Sequence, residues 1–291
     1  METLPGLPVS EIRVYLNAQR HALQSEPDLG YTPLNSLKTD GIVIVTALEP
    51  TGIKVLDDLL GGGFPRPSAV GITGPVGSGK STLVKQIAAA ALERDFRVQY
   101  FAVDESAEDV RDSIASWGVE VSRYESEGKL SFVDMFALGV EKLAESFPLE
   151  RPDQIIDSTM KFSDLIAQGR SFTLKHLGKK TMGIMDSLTP FFLMVEAKKV
   201  FQYGQVLKYA TRFAKSIGIA TLHTSVLDET IENAMVNFAD IVLDMEKRKS
   251  EGPSHSGTLR LVKMGKGLLP SRGYYYEMTA KGIDISTAPV I

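Results

Sequence analysis

The 291-residue sequence has no cysteine, one tryptophan and four histidines. The missing cysteine excludes disulfides, thiolate metal sites and cysteine nucleophiles. No run of about 18 apolar residues occurs, so no membrane-spanning helix is expected. The opening METLPGLPVSEIRVYLNAQRHALQ lacks the basic-then-apolar layout of a secretory signal, and a cytoplasmic location is expected. An excess of positive charge is missing too. Thirty-two Lys and Arg stand against 36 Asp and Glu, a net charge of −4, which is not the balance of a general nucleic-acid or anionic-membrane binder. Neither a repeat of solenoid period nor a low-complexity tract is present.

What remains is an ordinary soluble composition, 43% hydrophobic and 23% charged, long enough for a sizeable core. Residues 1–41 read as a leader. Ile12, Leu16 and Leu23 share roughly one helical face within residues 10–24, with Ser10 as N-cap. Residues 25–41, rich in Pro, Gly, Ser and Asp, read as a linker. From residue 42 to 291 short β-branched runs alternate with helical stretches, and three late strands close the chain. Strands separated by helices of this length predict an α/β fold with a mostly parallel sheet flanked by helices, the late strands antiparallel. The strand C-termini then share one edge, where ligands bind.

GPVGSGKS, Gly74 to Ser81, satisfies G-x-x-x-x-G-K-[ST] at every fixed position. A strand-like run precedes it and a helix of high propensity follows. The loop Gly74, Pro75, Val76, Gly77, Ser78 and Gly79 would cradle phosphate oxygens, its glycines letting the available backbone N–H groups turn inward; Pro75 has none to donate. The helix would aim its positive end at the same anion. Lys80 is expected on the β- and γ-phosphates, Ser81 on Mg²⁺ and Thr82 beside the α-phosphate. ATP and Mg²⁺ are therefore the expected ligands. The second metal-side acid should end another apolar strand, and Asp186 in TMGIMDS fits.

The residue after Asp186 is Ser187, so no acid follows directly to act as base. YFAVDES offers one instead. Asp104 and Glu105 end the strand after the P-loop helix, and a carboxylate there can orient a water for in-line attack. His223 and Thr224 end a further strand on the same edge and are candidate sensors of nucleotide state.

In order along the chain, TGIKVLDDLLGGGFP, GPVGSGKST, DESAEDVRDSIASWG, EGKLSFVD, GIMDSLTPFF, FADIVLDME, LRLVKM and KGIDI resemble the RecA-like fold, and within it the KaiC/RadA family of ATPases. Around LVKM the sequence is also similar to the archaellum accessory ATPase, a KaiC-like member. The resemblance implies catalytic roles for Glu105 and its neighbour Asp104, a position where many members carry a second glutamate. It implies that Lys263 reaches the phosphate held by a neighbouring subunit, and that the chain forms a homo-oligomer, a hexameric ring. Where the family often has an arginine, this sequence has Gly265, with Lys266 beside it. Lysine is not the geometric equal of a guanidinium, and slow hydrolysis is expected.

Three readings stay open: a slow ring-forming regulatory or assembly ATPase, a RadA-like recombinase on DNA, and a nucleotide-binding scaffold with negligible turnover. Charge separates the first two. Val226 to Glu246 holds six acids and no Lys or Arg, which repels phosphates, while Lys247 to Arg272 holds seven basic residues and one acid. The second stretch suits a subunit boundary. The aromatic runs at 190–192 and 274–276 suit core or subunit packing.

Overall fold

A computed structural model describes residues 37–39, 42–44, 47–135, 162–194, 196–248, 256–265 and 273–290. The chain divides into two compact units, one up to Val45 and one from Thr46. The expected leader helix at 10–24 lies outside the described residues, as does Lys266.

In the first unit β1 (Leu37–Thr39) pairs antiparallel with β2 (Ile42–Ile44), Lys38 opposite Val43. Part of the stretch read as linker is therefore strand. The pairing forms despite the turn-rich composition around it, because β2 is made of the β-branched strand formers Ile42, Val43 and Ile44.

The second unit holds β3 (Ala47–Glu49), β4 (Phe64–Arg66), β5 (Ser68–Gly74), β6 (Arg97–Ala102), β7 (Leu130–Asp134), β8 (Thr181–Asp186), β9 (Ile217–His223), β10 (Ile241–Lys247), β11 (Ser256–Met264), β12 (Gly273–Thr279) and β13 (Gly282–Val290). β3 and β4 form a small antiparallel pair. The other nine make one sheet in the order β13-β12-β11-β10-β5-β9-β8-β6-β7. From β10 to β7 all neighbours are parallel. β11, β12 and β13 extend the sheet antiparallel. The parallel core with late antiparallel strands is as expected.

Strand alternation divides the core into two layers. Val98, Tyr100 and Ala102 of β6 and Met182 and Ile184 of β8 join the helix Lys80–Glu93 in one. Phe101 and Met185 turn to the opposite face, with Phe191, Phe192, Val200 and Tyr203. The helix Lys80–Glu93 buries Leu83, Val84, Ile87, Ala88 and Leu92. It is built from strong helix formers and stops at Asp95, whose φ of +64° leaves the helical region.

β6 follows the P-loop helix in sequence, yet β9 and β8 lie between it and β5. Three strand spacings separate them, roughly 14 Å. The helix bridges that gap by packing on both β6 and β8. Ala102 stands level with Asp186, and Gly74 level with His223. Four strand ends thus meet on one edge.

Candidate functional site

The loop after β5 is shaped by close approach. A β-carbon at Gly74 would lie 2.3 Å from the Met245 carbonyl oxygen. At Gly79, where φ is +86°, it would lie 2.7 Å from Met278 Sδ and 2.9 Å from Ile283 Cδ1. Only glycine fits such positions, so these two glycines let the loop nest against β10, β12 and β13. Tyr276 of β12 donates its hydroxyl to the Ser78 carbonyl at 2.6 Å. Burial, followed by the nearby Asp244 charge, pushes that phenol up to about 12, so it remains a donor. Gln86 Oε1 accepts from the backbone N–H of Ile283 at 2.8 Å and ties the helix to β13.

Lys80 is 3% exposed. Its Nζ donates to the carbonyls of Gly74 and Pro75, each at 2.8 Å. Burial lowers its pKa to about 8, against the opposing pull of Asp186, Asp104 and Asp244. A cation that costly to bury is positioned for an anion that would complete its neutralisation. Around it the loop amides and the helix N-terminus offer the partial positive charge that phosphate seeks.

Asp186 is 2% exposed and accepts three hydrogen bonds. Thr221 Oγ1 donates at 2.6 Å and Ser81 Oγ at 3.2 Å to Oδ1, while Tyr100 donates to Oδ2 at 2.7 Å. Tyr100 is fully buried, and burial, then the Asp186 charge, holds its hydroxyl far above the usual phenol range. These donors allow a carboxylate to stay buried. Among the described residues no group of three or more His, Asp or Glu is arranged to hold a metal. The adjacent oxygens of Ser81 and Asp186 fit Mg²⁺ instead. That ion prefers hard oxygen ligands, retains waters and takes further ligands from phosphates.

The paired acids diverge. Asp104 Oδ2 lies 2.8 Å from His223 Nε2. Burial pushes the Asp104 carboxyl up, but hydrogen bonds from His223 and Ser187 and the charge of Lys80 outweigh it and leave the group below its usual value. Glu105 goes the other way. Its Oε2 accepts from Lys85 Nζ at 2.7 Å. Burial raises its pKa, and the lysine offsets that only in part. Ser106 and Asp109 form a capping box on the helix Ala107–Ala115, which fixes the chain direction just after Glu105.

Lys263 lies apart from this cluster. Its Nζ donates to the carbonyls of Val236 at 3.2 Å and Asn237 at 2.6 Å, near the end of the helix Glu229–Phe238. A cation suits a helix C-terminus. Gly265 has φ +50° and open space where a side chain would stand. Thr224 meets the loop through its backbone, its N–H donating to the Gly74 carbonyl at 3.0 Å.

Sequence reasoning had not singled out Lys85, Tyr100, Thr221 or Tyr276 as site residues. Lys85 carries no local signal: it lies one turn after Ser81 on the same helix face, but its burial beside Glu105 comes from tertiary packing. Tyr276 was discoverable from alternation, since it shares a face with Tyr274 and not with exposed Tyr275.

A phosphate-binding loop on the central strand of a mostly parallel sheet, with a buried strand-end acid against its serine, defines a RecA-like P-loop nucleotide-binding domain. The family model described as "ATPase: KaiC" matches residues 49–290, and the chain belongs to this family of nucleotide-binding ATPases. The circadian clock oscillator protein KaiC of Thermostichus vulcanus is 32% identical over 242 residues, covering 81% of this chain and 42% of that protein. A UPF0273 protein of Pyrobaculum aerophilum is 31% identical over 140 residues, 47% of each chain. The chain thus spans about half the length of these curated relatives. The crystal structure of a KaiC-like protein from Pyrococcus horikoshii covers 83% of this chain and 99% of its own, with a TM-score of 0.60 and 21% identity. That likeness concerns the fold. Among the described residues no helix is long and apolar enough to cross a membrane.

Proposed function

We propose that the chain binds ATP with Mg²⁺ and hydrolyses it slowly, acting in the cytoplasm as a nucleotide-dependent regulator or assembly ATPase within a homo-oligomer. The observation that carries this reading is the juxtaposition of buried Lys80 with the Ser81–Asp186 pair at the end of the central strand. In this reading the backbone N–H groups of residues 76–82 and the Lys80 ammonium bind the phosphate chain. Ser81 and Asp186 would hold Mg²⁺, which would supply neutralisation of phosphate charge. Glu105 orients the attacking water, and Asp104, held by His223, shapes the far wall of the phosphate site. The missing guanidinium at Gly265 accounts for slow chemistry.

The hexameric ring and the action of Lys263 on a neighbour's phosphate are proposed from the family resemblance. In a ring, Lys263 would keep its helix-end carbonyls as a base and extend its third N–H across the boundary. A recombinase role is disfavoured by the acidic, Lys- and Arg-free stretch from Val226 to Glu246.

The test is solution mass measured with and without ATP–Mg²⁺, alongside ATP titration of wild type and Lys80→Ala. The expected result is a nucleotide-dependent assembly and a binding loss of at least about 100-fold in the variant, from removal of one buried charge contact. A monomer under both conditions defeats the ring and the trans role of Lys263. Unchanged affinity in Lys80→Ala defeats the nucleotide site. A tight, salt-sensitive complex with single-stranded DNA would favour the recombinase reading.

A further inference from the structure

Lys85 is 7% exposed, although its position within the P-loop helix would suit a solvated lysine. Its Nζ donates to Glu105 Oε2 at 2.7 Å and to Ser113 Oγ at 3.3 Å. It stands four residues beyond Ser81, about 6 Å further along the helix axis. A carboxylate tied there is drawn back from the helix N-terminus, where the loop amides converge. The neighbouring Asp104 shows the contrast. Lys80 is among the charges acting on Asp104, whereas Glu105 is acted on by Lys85 of the P-loop helix, Asp186 of β8 and Asp109 of the helix Ala107–Ala115.

We propose that Lys85 is a positioning residue that holds Glu105 in a withdrawn position, so that the Lys85–Glu105 pair must open before the carboxylate can orient water. The inference rests on the reading of Glu105 as the water-orienting group. It names a second brake on turnover, separate from the missing arginine at Gly265. Ser113 makes the opening feasible. When Glu105 leaves, the ammonium retains a hydrogen-bond acceptor and is not stranded without a partner. No bond is made or broken in this step beyond the ion pair, and the lysine keeps its proton.

The experiment uses the full chain with Lys85→Met, Lys85→Arg, Glu105→Gln and the double variant Lys85→Met/Glu105→Gln. Two readouts are taken. One is single-turnover ATP hydrolysis with Mg²⁺. The other is nucleotide-free thermal unfolding from pH 5 to 9. Releasing a charge-assisted hydrogen bond is expected to raise the single-turnover rate constant about tenfold in Lys85→Met, with the half-saturating concentration in that assay unchanged. Lys85→Arg should retain the wild-type rate, and Glu105→Gln should be inactive in both backgrounds.

The melts carry an independent sign. The Glu105 carboxyl is already raised by burial, and without the lysine it rises further. The folded chain then holds that proton more tightly than the unfolded chain, so stability falls as pH rises through the folded value. Lys85→Met should show this loss, and the double variant should not. Should Lys85→Met fold poorly, Lys85→Gln keeps a donor for both partners without the charge and should give a smaller rate increase. A rate at or below wild type in Lys85→Met and Lys85→Gln, with Glu105→Gln inactive, overturns the role of Lys85 alone. Wild-type turnover in Glu105→Gln overturns the base assignment, and this inference with it.

Discussion

Tyr100→Phe removes one oxygen from the centre of the site and leaves the ring in place. The tyrosine is fully buried, and its hydroxyl donates to Asp186 Oδ2 at 2.7 Å. Apolar burial is unchanged, so the cost lies in the hydrogen bond. Hydrogen bonds to charged groups contribute about 1.5–3 kcal/mol, and both partners of this one are buried. A domain of this size loses about 2–4 °C per kcal/mol. The expected drop in Tm is therefore about 5 °C in nucleotide-free protein. Because burial and the Asp186 charge hold the phenol far above its usual range, the drop should be constant from pH 6 to 9. Calorimetric melts of Tyr100→Phe, Asp186→Asn and the double variant complete a cycle. A coupling above about 1 kcal/mol supports the contact. A Tm change below about 1 °C, or strict additivity, would refute the claim that Tyr100 stabilises the buried carboxylate.

Further outcomes follow from neighbouring contacts. Tyr276→Phe strands the Ser78 carbonyl and should cost about 1–3 kcal/mol, with weaker ATP binding by titration as the loop loses its anchor on β12. Gly79→Ala places a methyl 2.7 Å from Met278 Sδ at positive φ; a stability loss of at least about 1–3 kcal/mol is expected in denaturant unfolding. Lys80 titrates near 8 when folded and at 10.5 in its ordinary state. Between those values the unfolded chain binds more protons, so wild type should gain stability from pH 8 to 10.5 relative to Lys80→Met in paired melts.

The sequence carried the P-loop and its strand–turn–helix context because those features are local. Eight consecutive residues, Gly74 to Ser81, contain the loop's chemistry. The parallel core was legible from alternating runs, and Asp186 from its place at a strand end. Lys85 was hidden by a different physics. Within KSTLVKQIAAA it looks like any solvated helix lysine, and only the packing of that helix across β8 and β6 buries it beside Glu105. The divergence of Asp104 and Glu105 was equally out of reach, since it depends on His223 arriving from β9, a strand that the sequence alone does not place between β5 and β8. The aromatic run at 274–276 combined two roles, exposed Tyr275 and buried Tyr276, because adjacent strand residues face opposite ways.

The central claim is that this loop and these carboxylates form an ATP-hydrolysing site with Glu105 as its base. Steady-state ATP hydrolysis by wild type and Glu105→Gln, measured side by side with Mg²⁺, tests it most directly. The account predicts slow wild-type turnover and at least about a 100-fold loss in the variant, the usual scale of a general base. Robust hydrolysis at the same rate in both proteins would contradict it.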